Sequence, residues 1–174
     1  MRKLLLYISG GILLLFIVFI VYYFFLPSDI RLIKENTVND EELHLSNRHM
    51  EELDHSMRVY YVKNTLGDIN YFILKGRKLV TSGVISSINE VIVGNEGSDI
   101  LWSQYYKPDE FSFMTGIILN DQIESLAINN ISGQSIKIFN YDNYRLFYTL
   151  ERIDTPIEIQ GYSDSGELIY KNNN

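Results

Sequence analysis

His44, His49 and His55 are the only histidines in the 174-residue chain, and they lie close together. A metal pair on a helix wants histidines at i and i+4, which puts both rings on one face. The spacings here are five and six, so no two of them form that pair. Glu51 stands four residues before His55 and Glu52 three before it, which supplies a single Glu–His pair. A zinc centre needs three or four protein ligands. The stretch therefore reads as a solvated surface, with no metal and no cofactor expected.

Other constellations are thinner. The chain has no cysteine, which excludes thiol catalysis and a lipoprotein anchor. A serine triad needs a histidine, and all three sit in one segment read as exposed. No nucleophile elbow, P-loop or dinucleotide fingerprint is present. Gly94-Asn95-Glu96-Gly97-Ser98 has the glycines of a phosphate loop, but its acid repels phosphate. Glu90 with Asp99 or Glu110 can serve glycoside chemistry if the fold sets the pair at the right separation. Asp164-Ser165-Gly166-Glu167 lacks the spaced oxygen ligands of a calcium loop and reads as a tight hairpin, with Gly166 at positive φ. No catalytic residue is expected. The binding candidates are Trp102, Tyr105 and Tyr106, next to Lys107. Exposed, they can stack on a sugar or grip a protein partner. If their faces alternate they fill a core instead, the commoner fate of large aromatics.

The elements that carry these residues begin with Leu4–Leu26, a run of 23 residues without a charge. A bilayer core of about 30 Å takes about 20 apolar residues as a helix. The run is too long and too bulky at its end for a cleaved signal peptide. Tyr22 to Phe25 suit the headgroup layer, and Pro27 stops the helix. Arg2 and Lys3 precede the run and predict a cytoplasmic N-terminus. No small-xxx-small dimer face is present: Ser9 is followed four residues on by Leu13, and Gly10 by Leu14. Two of the 15 basic residues precede the run and all 22 acidic residues follow it, so the remainder carries 13 against 22, a net −9. That balance argues against nucleic acid and anionic lipid, which call for clustered Lys and Arg. The expected organisation is a cytoplasmic tail at 1–3, a single membrane-spanning helix at 4–26, a connector at 27–39 and one extracytoplasmic domain at 40–174. A tail that short leaves no cytoplasmic output, which disfavours a signalling receptor.

Within the domain, Asn39 with Glu42 resembles a capping box. Leu43, Met50, Leu53 and Met57 then recur at seven, three and four, which predicts a helix over Asp40–Met57. From Arg58 onward short runs rich in β-branched and aromatic residues alternate with turns: RVYYV, INYFILK, KLVTSGVIS, INEVIVG, ILWSQYY, FSFMTGIIL, IESLAI, SIKIF, RLFYTL, PIEIQGY and ELIY. This predicts a mostly-β (α+β) domain, one short helix followed by a sandwich-like antiparallel sheet. Ile136, Ile138, Leu146, Tyr148, Ile157 and Ile159 alternate with polar residues and should face inward.

The order GIILN-x-x-I-x-x-L-x-I, IKIF, RLFYTL and I-x-GYSDSGELIY resembles small extracytoplasmic domains of Gram-positive bacteria, anchored by one N-terminal helix. The likeness covers about Phe111–Lys171. It implies fold and location, and brings no catalytic or ligand residue with it. The function expected is a membrane-anchored binding or accessory module, with an envelope protein as partner and no nucleic acid. The alternative is a cell-envelope hydrolase using carboxylates or a metal.

Overall fold

The structure is a computed structural model, and it describes residues 11–21, 28–37, 42–54, 56–85, 99–108 and 111–172. The chain divides into two compact units, Met1–Val38 and Asn39–Asn174.

In the first unit residues 11–21 are helical and every one is exposed. Among the described residues no helix is long and apolar enough to cross a membrane. The rest of the run predicted to span, 4–10 and 22–26, lies outside the described residues. Part of the stretch read as a connector is a second helix, Ser28–Glu35. Asp29 in its first turn and Lys34 in its last complement the helix dipole. The side chains of Asn36 and Thr37 donate back to the carbonyls of Leu32 and Ile33, both at 2.8 Å, and close its end.

Among the described residues the second unit holds twelve antiparallel strands: β1 (His49–Glu52), β2 (Met57–Lys63), β3 (Ile69–Lys75), β4 (Lys78–Val84), β5 (Ile100–Lys107), β6 (Phe111–Ile118), β7 (Ser125–Ile128), β8 (Ile131–Ser132), β9 (Lys137–Tyr141), β10 (Tyr144–Thr149), β11 (Ile159–Tyr162) and β12 (Leu168–Lys171). They form three four-stranded sheets, ordered β1-β2-β3-β4, β5-β6-β10-β9 and β12-β11-β7-β8. The predicted antiparallel β-domain is therefore observed, with three sheets where a sandwich has two.

Strand periodicity explains the layering. Successive side chains point to opposite faces of a sheet. On β6, Phe113 and Ile117 join a core with Val59, Tyr61, Ile69, Tyr71 and Ile73 of the first sheet. Met114 and Ile118 join the other core, with Leu126, Ile128 and Ile159 of the third. β10 divides likewise, Leu146 and Tyr148 to one side and Phe147 to the other. The sheet β5-β6-β10-β9 is thus the middle layer, covered on both faces, and β6 and β10 accordingly read as nearly continuous apolar runs. Of the six residues predicted to face inward, Ile136, Leu146, Tyr148, Ile157 and Ile159 are buried and Ile138 is partly buried against the second core.

Turn chemistry fixes the hairpins. Between β2 and β3, the Asn64 carboxamide oxygen accepts from the backbone N–H groups of Leu66 and Asp68, and Gly67 sits at φ +97°. Between β11 and β12, Gly166 takes φ +81° and Glu167 N–H donates to the Ser163 hydroxyl. The Asp164–Glu167 segment is the hairpin turn expected of it.

The helix predicted over Asp40–Met57 is not formed in its described part. Leu45–Asn47 is one turn of 3₁₀ helix, and β1 and the start of β2 occupy the rest. Leu43 bridges to Asn64, and His44 N–H donates to the carbonyl of Lys63. Pairing with β2 overrides the helical stripe, because local helix propensity is weak and tertiary context outweighs it.

Candidate functional site

Two places in the second unit gather the residues that carry chemistry. The first lies between β1, an edge of the first sheet, and β9, an edge of the middle sheet. On β1 the side chains of His49 and Glu51 are partly buried while Met50 and Glu52 alternate outward. His49 Nε2 stands 2.7 Å from Glu51 Oε1, and Lys137 Nζ on β9 reaches Glu51 Oε2. The His49 ring stacks on Phe139 at 4.7 Å and 14°. Tyr141 closes the lower side, its hydroxyl donating to the carbonyl of Asn47 at 2.6 Å and accepting from the N–H of Lys63 at 3.1 Å.

Electrostatics follow from this packing. Burial pushes the Glu51 carboxyl up, but its bonds to Lys137 and His49 outweigh burial and hold it below its ordinary value. The same pair raises Lys137 against the smaller opposing effect of burial. Burial raises the Tyr148 hydroxyl, partly countered by the Lys137 ammonium 5.8 Å over its ring. Glu51 is thus an ion-pair acceptor. A glycosidase geometry sets a second carboxylate across from the first; the groups bonded to Glu51 are a lysine and a histidine. The cluster works as a charged clasp across the two sheet edges.

Of the three histidines, His49 is in this clasp, His44 precedes the 3₁₀ turn and makes no side-chain cap there, and His55 lies outside the described residues. Glu90 and Glu110 also lie outside them. Among the described residues no group of three or more His, Asp or Glu side chains could hold a metal ion.

The second place is β5, the other edge of the middle sheet. Trp102 and Tyr106 share one face, and both are exposed, at 37% and 44%. Tyr105 points to the opposite face, partly buried, its ring 6.3 Å from that of Phe111. The three candidate binding residues therefore separate: two present a surface and one belongs to the edge of the first core. Between Trp102 and Tyr106, Gln104 is held by its amide, which donates to the carbonyl of Ile153 at 2.9 Å. Arg152 places its guanidinium 5.2 Å over the Tyr106 ring.

The backbone of β5 adds what the side chains do not show. Leu119 N–H donates to the Asp99 carbonyl, so the pairing of β5 with β6 sets Asp99, Leu101, Ser103, Tyr105 and Lys107 in the hydrogen-bonded positions. The groups of Trp102, Gln104 and Tyr106 then point away from β6. Among the described residues no backbone hydrogen bond reaches these three from outside the sheet. No residue pattern in the sequence marks this, because an edge exists only once the strand order is known.

No protein-family model, no curated protein and no solved structure matches the chain.

Proposed function

We propose that the protein is a membrane-anchored binding module whose β-domain engages a protein partner in the cell envelope, without catalysis. The observation that carries this reading is the solvent-facing pair Trp102 and Tyr106 on an edge strand of the middle sheet. Trp and Tyr give large contact area at low entropic cost. The anchor rests on the uncharged run 4–26, whose described residues 11–21 are helical and expose Ile12 to Val21 as an apolar surface. A tethered domain meets a membrane-bound partner at raised effective concentration, so a modest contact suffices. The N-terminus lies in the cytoplasm and the domain outside.

The test is partner binding by the full chain in detergent or in cells. Trp102→Ala with Tyr106→Ala should weaken the complex without shifting the unfolding midpoint by more than an ordinary surface change, about 0.5 kcal/mol. The wild type should leave peptidoglycan and ester substrates intact with or without divalent metal. Turnover abolished by a single carboxylate or histidine change would establish the hydrolase instead.

A further inference from the structure

The net charge of −9 beyond the apolar run, 13 basic against 22 acidic, is an average that the fold distributes unevenly. Residues 57–84, which hold β2, β3 and β4, carry five basic side chains and one acidic one. That acid is Asp68, and it is buried. Three of the five cations stand together at the turn between β3 and β4, Lys75-Gly76-Arg77-Lys78, where all four residues are exposed. Gly76 takes φ +59°, as a glycine at the first position of a two-residue hairpin turn does. Arg58 Nη2 donates to the Gly76 carbonyl at 3.1 Å and braces the tip from β2.

Five cations elsewhere in the domain sit beside acids. Lys63, Lys137 and Lys171 pair with Asp142, Glu51 and Glu158, and Arg145 and Arg152 with Glu124 and Asp154. Among the described residues Lys75, Arg77 and Lys78 make no such pair, although Glu52 and Asp54 are exposed at the same end of the sheet. The register adds a cost. Lys75 lies directly opposite Lys78 across the hairpin. Like charges in that position destabilise a sheet. A hairpin built for stability alone would hold an acid at one of the two. An anion from outside the chain offsets the repulsion, and three cations within four residues suit a surface of phosphates.

A bilayer presents such a surface, and the anchor keeps the domain beside it. Three cations fall short of the about four to eight that mark a lipid-binding cluster. A tether lowers that requirement, because the contact becomes intramolecular. The many acids of the other sheets oppose the approach weakly. Charges more than about 8 Å apart are largely screened at physiological salt, and at the tip the cations are the groups in contact.

We propose that Lys75, Arg77 and Lys78 rest on the anionic phosphate headgroups of the bilayer and hold the β-domain tip-first against its surface. This rests on the reading of the run 4–26 as an anchor, and adds a second contact to that of Trp102 and Tyr106.

The test uses the full chain in lipid nanodiscs. The chain has no cysteine, so Ser82→Cys on β4 takes a single fluorophore near the tip, and Ser165→Cys in the turn between β11 and β12 takes one as reference. A trace of lipid with a quencher on its headgroup reports approach to the surface. Quenching at 82 should be about twofold or more greater in discs of phosphatidylglycerol than of phosphatidylcholine, and about 0.5 M salt should abolish the difference. The label at 165 should not follow the lipid. Lys75→Glu should remove the difference at 82 and leave the unfolding midpoint at or above that of the wild type, since it sets opposite charges across the hairpin. Those two readouts together separate lost docking from lost folding. Equal quenching in both lipids overturns the docking, and so does a lipid dependence that survives Lys75→Glu. If quenching ignores the lipid while Lys75→Glu loses an envelope protein that the wild type retains, the tip binds an acidic protein segment and the lipid contact is overturned. A chain that does not enter the discs overturns the anchor itself, whereas one that enters and shows no lipid dependence overturns the docking alone.

Discussion

At Gly116 a methyl group has nowhere to go. A Cβ placed there would lie 2.2 Å from the backbone carbonyl oxygen of Leu101 and 2.4 Å from the ring of Phe147. Gly116 pairs with Trp102 on one side and Phe147 on the other, and the Phe147 ring lies across the space a side chain would fill. One of the two obstacles is backbone, so a rotamer change cannot relieve the clash. Gly116→Ala should therefore lower stability by about 1–3 kcal/mol, the range for an overpacked core, read as a fall in the urea midpoint. An unchanged midpoint would mean that β5 and β6 separate at little cost. Nothing in the run FSFMTGIIL marks this glycine as special. Its meaning comes from which strand lies beside β6, and β10 arrives from a distant part of the chain.

β1 shows why an element can be misread when its residues are in plain view. Its His49 and Glu51 side chains face inward while Met50 faces out beside Glu52, the reverse of what amphipathic patterning expects. The reason is Lys137, nearly ninety residues away in the sequence, together with the ring of Phe139. Local periodicity could not supply that partner, and helix remained the better local reading. The described strands from Arg58 onward are legible because their partners are mostly sequence neighbours joined by Asn, Asp and Gly turns, while the predicted strand INEVIVG lies outside the described residues. The clasp makes a pH prediction. Glu51 is held below its ordinary value of 4.5, so its contribution is full above that pH and is lost as pH falls through the lower folded value. Lys137 is raised above 10.5, so its contribution is full below that pH and is lost as pH rises through the higher folded value. The clasp should hold across the range between and fail on both flanks. Glu51→Gln should flatten the acid-side decline in unfolding midpoint between about pH 5 and pH 3, the carboxylate range. An acid limb as steep as that of the wild type would show that other carboxylates set it.

In the β-domain, the middle sheet ties two cores into one folding unit. β6 and β10 each give side chains to both cores, so removing either outer sheet uncovers apolar side chains of these strands. Neither outer layer can leave without destabilising the sheet that the other needs. Unfolding in denaturant should accordingly be one transition for residues 39–174, not two. Ile73→Ala in the first core and Ile159→Ala in the second each remove a fully buried side chain. Each should cost about 2–5 kcal/mol, the usual range for such a truncation, and each should shift the whole transition. Trp102 is the single tryptophan and sits on the middle sheet, so its fluorescence reports on the layer common to both cores. In both variants its transition should coincide with that of far-ultraviolet circular dichroism, as cooperative unfolding requires. Suppose instead that Ile159→Ala splits the two probes, with circular dichroism changing first. The third sheet would then melt while β5 and β6 stay folded, and the two cores would be separate units that share a boundary.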